Sequence, residues 1–307
     1  MCGRFPRLFQ FLFAWVAVFL GLFLWLGVMV GAQAAEPALR SASALRARYV
    51  QLGPELRNSP FKRPIVLASA ETSNQLSGDI FALIDHPFST VNQTFNGATH
   101  WCDVLMLHIN TKHCRANVSP TDSTLAVHIG KKDYQEIEQA FLVQFRQRVV
   151  SATADYLDVS LVAPKGPLGT SDYRIGLEAV ALPGNQTFLH LTYAYRYGFT
   201  GELAMQVYLA TLGSHKIGFT YAATQSSKEA VYIGGVRGVV ERNTMRYYLA
   251  IDAYLEALSS PPSEQLEKRL QGWYTSTEQY PAQLHEVDRA TYLDMKRREH
   301  TRLVSTP

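Results

Sequence analysis

The sequence predicts an α+β fold in which a curved antiparallel sheet is followed by a long helix. Two changes of apolar periodicity carry this prediction. Between about residues 112 and 197, apolar residues recur at every second position, which is typical of strands with one buried face. From Val236 to Leu258 the apolar residues instead lie three, four or seven positions apart, as on one face of a helix. The remainder, 263–302, is polar and helical in pattern.

A secretory signal peptide is predicted at the N-terminus. Two arginines precede an uncharged apolar run over 11–30, and Ala32-Gln33-Ala34 follows it. This order is the pattern of a cleaved leader, so we expect 1–34 to be removed near Ala34 and the mature protein to work in the periplasm. Because the run is almost long enough to span a bilayer, an uncleaved inner-membrane anchor through 8–30 is the alternative.

The next segment, 35–74, is predicted to form a leading helix and a linker. Leu45, Tyr49 and Leu52 recur at helical spacing, and Gly53-Pro54 is expected to end that helix. Pro60 and Pro64 then indicate an extended stretch without regular structure.

A strand over 78–84 and two short helices are expected before the main sheet. Pro87 stands at a favourable first-turn position for the first helix. The second is predicted over 98–107. A further short helix is expected after the sheet, over 201–212. Six strands separated by turn signals are predicted near 112–118, 123–130, 139–150, 155–163, 171–181 and 186–197. We expect an antiparallel meander with one buried face and one solvated face, and with Glu178 and His190 on the solvated face.

Cys102 and Cys114 are the two cysteines that remain after the leader. An even number of cysteines in an oxidising compartment predicts a disulfide, and the short loop would give it about 3 kcal/mol at most. Two buried thiols are the alternative.

Composition disfavours several other classes of protein. The formal net charge is +3, and no basic segment is interleaved with aromatic residues, so no nucleic-acid partner is expected. Several histidines lie between 86 and 128, but none has the spacing of a metal site, and no metal is expected. Gly234-Gly235-x-x-Gly238 lacks the spacing of a dinucleotide fingerprint, and no cofactor is expected. We interpret these glycines as freeing the chain to turn into the long helix.

The order of elements resembles the helix-grip fold of the START-like (SRPBCC) superfamily, here as an exported bacterial member. The resemblance rests on the opening segment 78–85 with its helix at Pro87, and on the closing segment 234–243 continued to Leu258. It covers 75–258, and 259–307 would be a helical extension. The resemblance implies a curved sheet around a long helix, with an apolar cavity that commonly binds lipids, sterols or polyketides. A smaller number of members are cyclases or hydrolases. The superfamily shares no catalytic motif, so we assign no catalytic residue.

Candidate ligand-binding residues are those expected to face such a cavity. Alternation places three tyrosines of strand 186–197 on one face, and the end of the neighbouring strand offers the small residues Ala179 and Ala181. The candidates are Tyr173, Ala179, Tyr193, Tyr195, Tyr197, Tyr247 and Arg242. A filled core with tyrosine hydroxyls at its rim is the alternative. We interpret Arg237, Glu241, Arg242 and Arg246 as part of a solvated face with local Glu–Arg pairs. Arginine holding an anionic headgroup at the cavity mouth is the alternative.

The leading hypothesis is an exported carrier for a lipid or other hydrophobic small molecule, without catalysis. The first alternative is a periplasmic cyclase or hydrolase that uses the same cavity, which a buried carboxylate–histidine pair inside the cavity would favour. The second is an envelope interaction protein without a ligand, whose helix 263–302 docks a protein partner. Contact with a membrane surface is possible in each case.

Overall fold

The computed structural model describes residues 40–119, 122–198, 216–222 and 231–305. The predicted leader and the predicted helix 201–212 lie outside the described residues. Within the described ranges, no helix combines the length and apolar character that crossing a membrane requires.

The described helices and strands alternate in blocks along the chain. The helices are α1 Ala42–Arg57, α2 Phe88–Asn96, α3 Ala98–Leu107, α4 Gly235–Ala257, α5 Pro262–Thr277, α6 Pro281–Leu284 and α7 Arg289–Ser305. The strands are β1 Ile65–Glu71, β2 Gln75–Ile84, β3 Thr111–Asn117, β4 Thr124–Ile129, β5 Phe141–Ala152, β6 Tyr156–Lys165, β7 Thr170–Leu182 and β8 Gln186–Tyr197.

The strands form one antiparallel sheet in the order β1-β2-β8-β7-β6-β5-β4-β3. Register shifts in the β3–β4, β5–β6 and β7–β8 pairs bend the sheet, as bulges do. Helix α4 crosses the concave face against β1, β2 and β8, and its buried residues join one large core with the strands. This is a helix-grip architecture, and the predicted α+β fold is confirmed.

Helix α1 does not end at Gly53-Pro54, as the sequence predicted, but continues to Arg57. Proline in a helix interior removes one backbone hydrogen bond and crowds the preceding turn. The last turn of α1 nevertheless stays helical, because Leu52 and Leu56, on either side of Pro54, are both buried against the sheet. Packing of an apolar face thus outweighs the local preference of one residue.

The predicted linker contains a strand that the sequence analysis missed. β1 pairs with β2 along its whole length, from Ile65 opposite Ala82 to Glu71 opposite Leu76. Its first four residues, Ile-Val-Leu-Ala, are all apolar, so the two-residue alternation that identified the other strands is absent.

The convex face of the sheet is partly buried, and the prediction of a wholly solvated face was wrong. α1 packs on this face and closes a second apolar cluster. The cluster comprises Leu45, Leu52, Leu56, Phe81, Tyr156, Val180 and Phe188. Glu178 and His190 are therefore buried beneath α1.

The C-terminal helices belong to the same core. α5 packs on α4, and α7 packs on α5 and β3. The indole nitrogen of Trp273 donates to the Arg246 carbonyl at 3.1 Å, and the Tyr292 hydroxyl donates to the Leu107 carbonyl at 2.8 Å. The apolar side of this extension is thus covered by its own chain.

The predicted disulfide between Cys102 and Cys114 is confirmed. It joins α3 to β3 with the two Cα atoms 5.3 Å apart. It lies beside the buried docking site of α7, where Lys112 and Lys296 both bind the carboxylate of Glu299.

Candidate functional site

A cavity of about 320 Å³ lies between α4 and the sheet, at the end of the sheet that carries the β6–β7 turn. α4 supplies one wall, and β7 and β8 supply the opposite wall. The rim is completed by the α3–β3 and β4–β5 connections and by the turn around Leu168. Four tyrosines line it: Tyr173, Tyr193, Tyr195 and Tyr247.

The tyrosine rings contact one another as a continuous aromatic lining. Strand register places Tyr193 opposite Ile175 and so brings it beside Tyr173, on the same face of the sheet. Tyr173 stacks on Tyr195 with centroids 5.2 Å apart, and the ring of Tyr193 contacts that of Tyr247 on α4 with centroids 5.1 Å apart. Burial raises the pKa of each of these tyrosines, so their hydroxyls remain protonated at neutral pH.

The start of α4 depends on two glycines. Gly235 adopts a φ of +60°, a left-handed conformation that glycine reaches without strain, and the prediction that these glycines let the chain turn into the helix is confirmed. A Cβ on Gly238 would lie 3.1 Å from the Ile233 carbonyl oxygen and 3.2 Å from Nη1 of Arg242. The missing side chain therefore leaves room for Arg242 to fold back and donate to the Ile217 carbonyl at 3.1 Å.

Arg242 and Arg246 are buried, so the interpretation of a solvated arginine face was wrong. Both line the cavity, because a four-residue spacing puts them on the same side of α4. Arg246 binds the carboxylate of Glu286 at 2.6 Å. The same carboxylate binds Lys132 at 2.6 Å and lies 3.6 Å from Lys216.

Burial alone would raise the pKa of Glu286, but Arg246, Lys132 and Lys216 together lower it. Glu286 is therefore ionised and shared among three cations. Glu241, also assigned to the solvated face, is likewise buried. Its carboxylate accepts from the Ser69 hydroxyl at 2.6 Å and from the Phe219 amide at 2.6 Å.

His108 closes the cavity behind Tyr247. The two rings stack with centroids 4.9 Å apart, and Nδ1 of His108 accepts the Asn110 amide at 3.2 Å. Burial, together with the nearby charges of Arg246 and Lys296, lowers the pKa of His108 well below its usual range. The imidazole is therefore neutral at pH 7 and carries its proton on Nε2.

The cavity brings together five of the seven predicted ligand-binding residues and leaves out the other two. Tyr173, Tyr193, Tyr195, Tyr247 and Arg242 line it. Ala179 and Tyr197 do not, and their assignment is corrected here.

Strand register explains why Ala179 and Tyr197 lie outside the cavity. Ala179 pairs with Leu189, four residues along β8 from Tyr193, and it is completely buried in the core where α2 packs on β7. Tyr197 pairs with Thr170 at the last position of β8 and is half-buried, outside the cavity lining.

The sequence analysis missed His108 and Lys132 as cavity residues. Both lie in connections between regular elements, where no periodicity assigns a side chain to a face. Only the closure of the sheet around α4 brings them to the cavity.

A buried carboxylate–histidine cluster exists, but it lies on the opposite face of the sheet from the cavity. Nε2 of His190 is 2.9 Å from Asp79, and Nδ1 is 3.2 Å from Glu178. The Tyr156 hydroxyl donates to Glu178 at 2.7 Å. Both imidazole nitrogens are thus engaged by carboxylates. In the described part of the chain, no group of three His, Cys, Asp or Glu side chains is arranged to hold a metal ion.

No protein-family model matches the chain, and no curated protein matches it. Three solved structures are among those similar to it, each with a TM-score of 0.31. The Zhui aromatase/cyclase from Streptomyces sp. R1128 is 12% identical over 43% of this chain and 73% of that chain. Human StAR-related lipid transfer protein 5 is 9% identical over 55% of this chain and 87% of that chain.

The third is a truncated norcoclaurine synthase from Thalictrum flavum, which is 9% identical over 45% of this chain and 84% of that chain. Similarity this low does not transfer a function. The assignment of the fold rests on the strand order and on the position of α4.

Proposed function

We propose that this protein binds a hydrophobic small molecule in the cavity between the sheet and α4 and carries it outside the cytoplasm. The observation that carries the proposal is the volume of about 320 Å³ bordered by the four tyrosines and by α4. Ligand sites typically occupy roughly 300–1,000 Å³ and combine apolar walls with a few polar groups. A molecule with one acyl chain or a small ring system matches the lower end of that range.

The walls suit an apolar ligand with a polar end. Tyr173, Tyr193 and Tyr195 line the interior, and their protonated hydroxyls can donate or accept hydrogen bonds. Arg242, Arg246 and Lys132 occupy the polar side of the lining. An apolar body between the rings and a polar group near the cations would satisfy both parts of the site.

Export is part of the proposal and rests on two features. Ala32-Gln33-Ala34 follows an apolar run as a cleavage site would. The Cys102–Cys114 disulfide is of the kind that persists in an oxidising compartment. In such a compartment, an apolar molecule that must cross water needs a shielded carrier.

The other two hypotheses receive less support. The carboxylate–histidine cluster around His190 lies on the convex face beneath α1, so it cannot act on a ligand in the cavity. The apolar side of the C-terminal helices, including Trp273 and Tyr292, is occupied by the core of this chain. We therefore propose neither catalysis in the cavity nor partner docking through 263–302.

A neutral fluorescent probe, N-phenyl-1-naphthylamine, tests the proposal. Its emission should rise on titration with the wild-type protein, and the Val239→Trp variant should lose this binding because the indole would enter the cavity from α4. Val50→Trp is the matched control, since Val50 lies on α1 and is 75% exposed. Equal binding by all three proteins, or no binding by the wild type, would contradict the proposal.

A further inference from the structure

We infer that the ligand is an anionic amphiphile, an apolar body bearing one oxyanion group, and that Arg242 holds this group with help from Arg246 and Lys132. This inference rests on the proposed function and specifies the class of its ligand.

The charged side chains of the described lining are all cationic. Three side chains of the described lining, Lys132, Arg242 and Arg246, are cationic, and the described lining includes no Asp or Glu. Two carboxylates lie near these cations outside the lining. Glu286 is shared by Lys132, Arg246 and Lys216, and Glu241 accepts from the Phe219 amide, two residues from the carbonyl that Arg242 binds. Two carboxylates beside four cations still leave an excess of positive charge, which an anionic ligand would complement.

Arg242 is the best placed of the three to bind an anion. It is only 2% exposed, so its charge is held out of bulk water. A charge that is buried without an ionic partner is costly. A guanidinium carries five N–H donors in a planar fork. Among the described residues Arg242 makes a single hydrogen bond, to the Ile217 carbonyl at 3.1 Å, and that acceptor is neutral. The remaining donors suit the two oxygens of a carboxylate or a similar oxyanion.

The position of Arg242 fits an amphiphile rather than a free inorganic anion. Arg242 lies close enough to Tyr195 that its charge opposes the rise in the pKa of that phenol caused by burial. Tyr195 in turn stacks on Tyr173, which also lines the cavity. An oxyanion on Arg242 would thus leave an attached apolar body in contact with the rings. The neutral ring of His108 adds no competing anion.

A matched pair of fluorescent probes tests the inference on the whole mature protein. 1-Anilinonaphthalene-8-sulfonate and N-phenyl-1-naphthylamine share their ring system, and the first also carries a sulfonate. We expect the wild type to bind the sulfonate probe at least about tenfold more tightly than the neutral probe. Arg242→Gln should remove most of this preference by weakening the sulfonate probe much more than the neutral probe. Arg242→Lys keeps the charge and should retain part of the preference.

Lys132→Gln is a second test that does not alter a fully buried residue, because the Lys132 side chain is 31% exposed. It should weaken binding of the sulfonate probe by about threefold and weaken the neutral probe less. This variant decides the question if Arg242→Gln fails to fold. Decanoate and decyl phosphate, used as competitors against the sulfonate probe, then distinguish a carboxylate ligand from a phosphate ligand.

The outcomes separate the two proposals. Equal affinity of the wild type for both probes would overturn the anionic assignment and leave the carrier function standing. An equal loss of both probes in the Arg242 and Lys132 variants would also overturn it, since the cations would then be structural. Failure of the wild type to bind either probe would reject the carrier function itself, and the inference with it.

Discussion

Tyr193 on β8 and Tyr247 on α4 are in direct ring contact at the wall of the cavity, with centroids 5.1 Å apart. The cavity is therefore built jointly by the sheet and the helix, and neither wall exists without the other. A short distance along α4, Ile251 is buried in the core that attaches this helix to the sheet. The stability of that attachment determines whether a cavity forms.

Ile251→Ala should destabilise the protein by about 2–5 kcal/mol, because it removes buried methyl groups and leaves a void in the core. Glu256→Ala is the matched control on the same helix, since the Glu256 side chain is 72% exposed and should contribute little. Urea denaturation of both variants measures the difference. Small and equal effects would mean that α4 does not pack on the sheet.

His190 should make stability fall as the pH rises above neutrality. Burial disfavours its imidazolium, but the hydrogen bonds and charges of Asp79 and Glu178 outweigh burial and raise the pKa of His190 to about 9. Its unfolded pKa is about 6.5. Because the folded pKa is the higher one, the stabilisation is complete below about pH 6.5 and is lost as the pH rises toward the folded value.

The free energy of unfolding should decrease by roughly 2 kcal/mol between about pH 6.5 and 8 in the wild type. His190→Gln should remove this slope. The free energy of unfolding of the variant should be subtracted from that of the wild type at each pH. This removes the contribution of Lys296, whose pKa burial lowers to about 8 and which gives the opposite slope above that pH. Parallel pH profiles for wild type and variant would show that folding does not raise the pKa of His190.

The disulfide should protect the docking of α3 on β3. Replacing Cys102 and Cys114 together with serine should lower stability by about 3 kcal/mol, as expected for a loop closed over a sequence separation of 12. Denatured, unreduced wild-type protein should contain no free thiol after the leader is removed. Detection of two free thiols per mature chain would contradict the bond.

The leader should be absent from the mature protein. N-terminal sequencing of exported protein should begin within a residue or two of Ala35, because Ala32-Gln33-Ala34 supplies the small side chains of a cleavage site. A mature chain that still starts at Met1 would instead support the membrane-anchor alternative.

Local periodicity was sufficient to predict the fold but not the site. Seven of the eight strands and the long helix were recovered because each has one apolar face with a regular repeat. β1 was missed because it begins with four consecutive apolar residues. The end of α1 was misplaced because Leu56, one turn beyond the expected stop, gains more from burial than Pro54 costs.

The candidate site depends on relationships that a single strand does not encode. Alternation correctly put Tyr193 and Tyr195 on the concave face, but it could not reveal that Ala179 pairs with Leu189 under α2. Similarly, helical spacing put Arg242 and Arg246 on one side of α4. Only the packed structure shows that this side faces the cavity rather than solvent.

Native mass spectrometry tests the central claim, that the cavity holds an apolar ligand, most directly. Wild-type protein purified without detergent should carry an additional mass that organic extraction removes, and Val239→Trp protein prepared in the same way should lack it. Retention of the same mass by Val239→Trp, or its absence from wild-type protein that also binds neither naphthalene probe, would contradict the claim.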